Sequence, residues 1–260
     1  MQQHLDPNSV LGKAIAILDA FQADGRVVPL SELASRTGIP KTTVHRIAND
    51  LVSEKLLARS DAGYRLGNRL FELGMRASPE RGLLEVATPF MQDLFVRTTE
   101  TVHLGLLDGD EVIYVSKIGG HRQAASPSRV GGRMPLYCTA IGKVLLASSD
   151  NRFIQDYLTR PFERRTRHTI VGPGMLYRQL GNIAKEGVAF EVEESTLGIV
   201  CLASPILDGA GAPIAALSVT GPAHRFNPRQ HVDAVRAAAD GVALTLARQS
   251  HIVDTQKRLS

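Results

Sequence analysis

Leu30-Ser-Glu-Leu-Ala-Ser-Arg-Thr-Gly-Ile-Pro-Lys-Thr-Thr-Val-His-Arg-Ile47 decides how this chain is read. Two helical runs meet at Gly38. The first starts near Ser31, which reads as an N-cap, with Glu32 complementing the helix dipole in the first turn. Its apolar positions are Leu33 and Ala34. Gly38 supplies the left-handed backbone that a tight turn needs, and the small Ala34 lets two helices approach closely. Pro40 suits the start of the next helix, Lys41 to Glu54. On a wheel advancing about 100° per residue, Thr42, Arg46, Asn49 and Ser53 fall within roughly 60° of one another, with His45 beside them. Val44, Ile47, Ala48 and Leu51 gather on the opposite side, and Val52 lies on the border. One face therefore packs, and the other carries hydrogen-bond donors.

The flanks agree. Leu11, Ala14, Ile15, Leu18 and Phe21 recur at helical spacing, and Asp24-Gly25 ends that helix. Downstream, Leu56–Arg59 and Tyr64–Leu66 read as two strands around the turn cluster Ser60-Asp61-Ala62-Gly63. Helix, helix, turn, helix, hairpin is the winged helix-turn-helix order. A solvated polar face belongs to any amphipathic helix. It is the turn spacing, the flanking helix and the hairpin together that point to double-stranded operator DNA. Lys41, Thr42, Thr43, His45, Arg46 and Asn49 are the candidates for base edges and phosphates in a major groove. Arg59 and Arg65 of the hairpin could reach adjacent phosphates or the minor groove. Between Arg26 and Arg65 seven bases face four acids, so most of the chain's net charge of +4 is concentrated there.

At 260 residues the chain has room for two domains. Ala77-Ser78-Pro79-Glu80-Arg81-Gly82 marks their junction, because Ser-Pro stops the connecting helix Asn68–Arg76. That gives domains 1–78 and 79–260. In the second, Val102–Leu107, Asp108-Gly109-Asp110 and Glu111–Ser116 form a hairpin signal. Helices are expected at Leu83–Glu100, Ala140–Ser148, Leu176–Glu186 and Pro228–Ala247, the last capped by Asn227 with the stripe Val232, Val235, Ala239, Val242 and Leu246. Strands fall at Val188–Val192, Ile199–Leu207 and Pro213–Thr220. The fold class is α+β with a mostly antiparallel sheet.

Composition is ordinary for a globular chain, with 43% hydrophobic and 22% charged residues. The longest apolar runs, such as Val144–Ala147 and Ala215–Val219, are far too short for a membrane span. No basic flank with an apolar stretch opens the chain, so a signal peptide is not expected. Cys138 and Cys201 have no metal or redox spacing, and the eight histidines show no His-x-x-x-His pattern. A cytoplasmic protein with reduced thiols, no membrane, no metal and no cofactor is the expectation.

One loop carries chemistry. Gly131-Gly-Arg133-Met-Pro135 leads into Thr139, an N-cap for the helix that holds Gly142 and Lys143. The Ala140 and Ile141 amides, with Thr139, are candidates for gripping a carboxylate at the helix N-terminus. Cys201 shares a strand face with Ala203, and Ser218 with Thr220. Such small polar side chains either leave room for a ligand or are satisfied core groups. His103 reads as a surface or packed residue, and Arg160, Arg164, Arg165, Arg167 and His168 as a solvated charge run.

Several of these stretches are shared motifs. Leu30 through Ile47, Leu51, the wing ending at Tyr64-Arg-Leu-Gly67, Leu107–Val115, Gly132–Lys143, Gly187 through Glu194, Gly198–Ala203 and Ala216–Pro222 together resemble the IclR family of bacterial regulators over nearly the whole chain. The resemblance implies a GAF-like effector-binding domain after the winged helix-turn-helix. It also implies a homodimer or dimer of dimers, a small-molecule effector, and repression or activation of a catabolic operon. It groups the loop with Arg133 and the helix start with Glu191, Cys201, Ser218 and Thr220 as an effector site. Glu191 stands where some relatives carry a shorter acid. The bulk of Leu136 and Ile141 suits apolar walls and an aromatic or alicyclic carboxylic acid. A metabolite-sensing module acting through protein contacts and a cysteine-dependent hydrolase remain as other readings.

Overall fold

The computed structural model describes residues 6–21, 25–77, 81–119 and 128–259. The chain divides into two units, Met1–Pro79 and Glu80–Ser260. Asp24, and Ser78-Pro79-Glu80 of the expected junction, lie outside the described residues, but the first helix ends before the expected Asp24-Gly25 stop: it closes at Asp19, with Ala20 as C-cap.

The first unit runs α1 (Val10–Asp19), α2 (Leu30–Thr37), α3 (Lys41–Ser53), β1 (Leu57–Ser60), β2 (Gly63–Leu66) and α4 (Asn68–Ala77). Gly38 closes α2 with φ +68° while its N–H bonds Ala34 O at 3.0 Å, so the tight turn rests on that residue. Val44, Ile47, Ala48 and Leu51 of α3 are buried with Ile17, Val28, Leu33, Leu57 and Tyr64. Ser31 is not a cap. α2 begins one residue earlier, after Pro29, with no side-chain cap. The reason lies in the wing: Val28 exchanges two backbone bonds with Tyr64, at 2.8 and 2.9 Å, and the helix starts where the chain leaves that bridge. Glu32 in the first turn instead holds Arg26 and Arg36, each at 2.6 Å.

The second unit runs α5 (Arg81–Thr98), β3 (Thr101–Asp108), β4 (Glu111–Ile118), β5 (Arg133–Pro135), α6 (Ala140–Ala147), α7 (Asn151–Leu158), α8 (Pro173–Glu186), β6 (Ala189–Val192), β7 (Ile199–Leu207), β8 (Pro213–Pro222), a 3₁₀ turn (Pro228–His231) and α9 (Val232–Leu259). The six strands form one sheet in the order β5-β4-β3-β8-β7-β6, antiparallel throughout. Strand alternation sends Val102, Leu104, Val200, Leu202, Leu217 and Val219 into one core with α5 and α9. The other face meets α6, α7 and α8.

Three elements differ from expectation. Arg133–Pro135 pairs with β4 as a short edge strand where a loop was expected. α7 was not foreseen, although Asp150 caps it by accepting from the Phe153 amide at 2.8 Å and Phe153, Ile154, Tyr157 and Leu158 share one side. Asn227 caps only the 3₁₀ turn, and α9 begins at Val232.

Leu33 has no exposed surface, and its truncation leaves a cavity among α1, α2 and α3. Leu33→Ala is expected to destabilise the protein by about 2–5 kcal/mol. Thr42→Ala, on the exposed side of α3, should stay within about 0.5 kcal/mol of wild type. Urea unfolding of the two variants checks both figures.

Candidate nucleic-acid interface and ligand cavity

α3 presents Lys41, Thr42, His45, Arg46 and Asn49 to solvent, with Thr43 half-buried at the edge of the face. Arg46 lies 3.7 Å from Asp50 one turn on, an exposed pair that leaves the guanidinium free to exchange partners. The two wing arginines are not equivalent. In the β1–β2 register Arg59 stands opposite Tyr64 and Arg65 opposite Ala58, so they point to opposite faces of the hairpin. Arg59 lies over the Tyr64 ring, 5.8 Å from its centre, and Arg65 is directed away from the core.

In the second unit a cavity lies between the sheet and the start of α6. It is lined by His103, Tyr114, Ser128, Met134, Thr139, Ala140, Ile141, Glu191, Ser195, Ile199, Cys201, Ser218 and Thr220. The space between these atoms, mouth included, is about 350 Å³, but only about 20 Å³ of it is wide enough for water. The roof comes from α6. Thr139 Oγ1 caps the helix by accepting from Gly142 N at 3.1 Å and donates to Pro135 O at 2.9 Å. This leaves the Ala140 and Ile141 N–H groups as first-turn donors without an intrahelical acceptor. Gly142 lets the helix start sit so low: a Cβ there would lie 2.4 Å from Leu136 Cα and carbonyl oxygen.

The floor is a polar stripe across four strands. Register places Glu191 beside Cys201, Cys201 beside Thr220, and His103 beside Ser218. Glu191 Oε1 accepts from Glu194 N at 2.8 Å, Ser195 N at 3.0 Å and Ser195 Oγ at 3.1 Å. Its Oε2 is buried with no partner in hydrogen-bond geometry among the described residues, although the Cys201 thiol lies against the carboxyl. Burial pushes Glu191 above the usual carboxylate range, against the lowering effect of Cys201 and Ser195. Lys143, fully buried on α6, reaches Glu194 at 2.5 Å and Phe190 O at 3.3 Å. Burial raises Glu194 too, opposed by Lys143.

Thr139, Ala140, Ile141, Glu191, Cys201, Ser218 and Thr220 thus border one cavity, whereas Arg133 and Leu136 do not. Arg133 sits on the β5 edge and is taken by Asp108 and, at 3.7 Å, by Glu111. Leu136 is wholly buried beneath Gly142 in the α6 core. Of the two readings of His103 the packed one holds: it is 2% exposed, lines the cavity and bonds Ser128 Oγ through Nε2 at 2.7 Å. Sequence reasoning also passed over Tyr114, Ser128, Met134, Ser195 and Ile199. The thiols are poor nucleophiles. Burial pushes Cys138 up to about 12 and Cys201 well above the usual thiol value. Among the described residues no helix is long and apolar enough to cross a membrane, and no group of three His, Cys, Asp or Glu side chains could hold a metal ion.

Residues 10–61 match the IclR helix-turn-helix domain, and residues 75–245 match the bacterial transcriptional regulator IclR C-terminal domain. The chain belongs to the IclR family of bacterial transcriptional regulators. It is 36% identical to the HTH-type transcriptional regulator KdgR of Dickeya chrysanthemi over 91% of this chain and 79% of that protein. A crystal structure of an IclR homologue from Microbacterium hydrocarbonoxydans complexed with 4-hydroxybenzoate superposes with a TM-score of 0.85 at 30% identity, covering 93% of this chain and all of the other. Thermotoga maritima IclR superposes at 0.76 with 31% identity, covering 91% and 98%.

Burial, reinforced by the Lys117 charge, lowers His103 from 6.5 to about 3. A base with a depressed folded pKa contributes stability that is full above about 6.5 and is lost as pH falls toward about 3. At pH 5 the unfolded chain binds this proton and the folded chain does not, a loss of about 2 kcal/mol. The stability of His103→Gln should therefore fall less than that of wild type between pH 7 and pH 5, by about that amount, in urea titrations at the two values. Identical slopes would place the imidazole in water.

Proposed function

We propose that this IclR-family regulator reads operator DNA through the exposed side of α3 and takes a small organic anion in the cavity beneath α6. The first-turn Ala140 and Ile141 amides, without an intrahelical acceptor and lining the same cavity as the Glu191–Cys201–Thr220 stripe, are the observation that carries the ligand reading. The positive end of a helix favours a carboxylate there, and among the described residues no lysine or arginine lines the cavity to do the same work. The interior has room for about one water, so a single ring or a short chain would enter only if the apolar walls Met134 and Ile141 gave way. The 4-hydroxybenzoate complex of the homologue supports a compact ring acid as a starting class. A homodimer or dimer of dimers would present two copies of α3 to two half-sites about one helical turn apart, or a multiple of that. The ligand would then alter operator affinity in the cytoplasm, where that DNA is reached.

A cysteine hydrolase is disfavoured. A nucleophilic thiolate needs a base that accepts its proton. Cys201 is held protonated and His103, its neighbour through Thr220, is held neutral, so both shifts oppose the transfer.

Mobility shift with DNA upstream of this protein's own gene should show specific binding. Arg46→Ala with Asn49→Ala should weaken it more than binding to random DNA. Equal loss on both would refute base reading by α3. For the cavity, a thermal-shift panel of aromatic and short-chain acids should give a stabilising ligand. Ala140→Pro removes one amide at a helix position that tolerates proline, and Thr139 before it is already extended at φ −120°, ψ 146°. That variant should keep its own melting temperature and lose about tenfold in affinity for the acid. Unchanged affinity would move the carboxylate elsewhere.

A further inference from the structure

From Cys201 to Ser128 the polar stripe of the cavity is joined by side-chain contacts. Cys201 Sγ lies 3.2 Å from Thr220 Oγ1, Thr220 Oγ1 lies 3.4 Å from His103 Nδ1, and His103 Nε2 lies 2.7 Å from Ser128 Oγ. At the other end Cys201 is the register partner of Glu191, whose Oε2 is buried and has no hydrogen-bond partner among the described residues. We propose that Glu191, Cys201, Thr220, His103 and Ser128 form one hydrogen-bond relay whose polarity is set at Glu191 and reversed through the tautomer of His103. The relay is a property of the cavity and does not rest on what ligand enters it.

Donor counting gives two orientations. A neutral imidazole donates from one nitrogen and accepts at the other. An ionised Glu191 only accepts. Cys201 S–H then turns to Glu191, Thr220 O–H to Cys201, His103 Nδ1–H to Thr220, and Ser128 O–H to His103 Nε2. A protonated Glu191 donates instead. Cys201 then turns to Thr220, Thr220 to Nδ1, and His103 carries its proton on Nε2 and gives it to Ser128. Hydrogens balance: one proton drawn from bulk solvent enters at the Ser128 end, four transfers pass along the chain, and Glu191 holds one more hydrogen than before. Every other group keeps its own number. Ser128 thus receives a bond where it gave one.

The surroundings favour a neutral chain. His103 is 2% exposed and Thr220 3%. Lys117, on β4, repels a cationic imidazole and is itself lowered by burial. Glu191 faces Glu194 and Ser195 on its own turn, Cys201 on β7, Tyr114 on β4 and Cys138 ahead of α6, while Lys143 on α6 is held by Glu194. Burial keeps Tyr114 and both thiols protonated, so Glu191 and Glu194 are the groups free to titrate on this side.

Nitrogen-15 NMR of histidine-labelled full-length protein tests the relay, since the two tautomers have distinct Nδ1 and Nε2 shifts. His103→Gln identifies the signal. On acidification the protonated nitrogen should swap from Nδ1 to Nε2 with no imidazolium formed. Glu191→Gln, which donates at every pH, should lock the Nε2–H form. Thr220→Val cuts the chain and should abolish the pH-dependent swap. A swap that survives Thr220→Val, or an unchanged tautomer in Glu191→Gln, would overturn the proposal. Should Glu191→Gln fail to fold, the Thr220→Val comparison decides alone.

Discussion

Lys143 has no exposed surface, and an ammonium group in that position needs an anion beside it. Glu194 supplies it, and the Phe190 carbonyl takes a second donor. Much of the cavity follows from that pair. It ties α6 to the turn after β6, and the same turn gives the Glu194 and Ser195 amides to Glu191. The free first-turn amides of α6 and the Glu191 carboxyl therefore face one space because one buried lysine joins the elements that carry them. Gly142 allows the approach, since a side chain there would meet Leu136 backbone at contact distances no atom tolerates.

The second property of the site is that burial shifts its polar groups toward their uncharged forms. His103 is lowered, while Glu191, Cys138, Cys201 and Tyr114 are raised. Such a lining favours recognition over reaction. Protonated donors and a helix terminus would hold an anion without supplying a base or a nucleophile to attack it. In the other unit the division is simpler: α3 buries Val44, Ile47, Ala48 and Leu51 and leaves a donor-rich side to solvent.

The DNA-reading unit was legible because its determinants are local. Helical period, Pro40 and the left-handed Gly38 all act within a few residues; the start of α2 was misplaced by a Val28–Tyr64 bridge that joins distant positions, and α1 ends at Asp19, short of the expected stop. The cavity was half legible. The cap at Thr139 and the parity of Cys201, Ser218 and Thr220 can be read along single elements, and family resemblance joined them to Glu191. His103 and Tyr114 could not be read this way, because an ordinary hairpin pattern does not say which strands lie next to β3 and β4. The pairing of β3 with β8 sets that, across more than a hundred residues. Arg133 misled for the converse reason: family resemblance groups its loop with the site, but strand pairing delivers the side chain to Asp108 and Glu111.

Whether the cavity governs DNA binding is decided by fluorescence anisotropy of labelled upstream DNA titrated with full-length protein, with and without the acid that stabilises it most. For wild type we expect the acid to change the operator Kd by roughly 5–150-fold, the usual span of coupling between two sites. For Ala140→Pro we expect the same ligand-free Kd and little response at that acid concentration. An undiminished response in Ala140→Pro would mean that the acid acts from a different place on the protein.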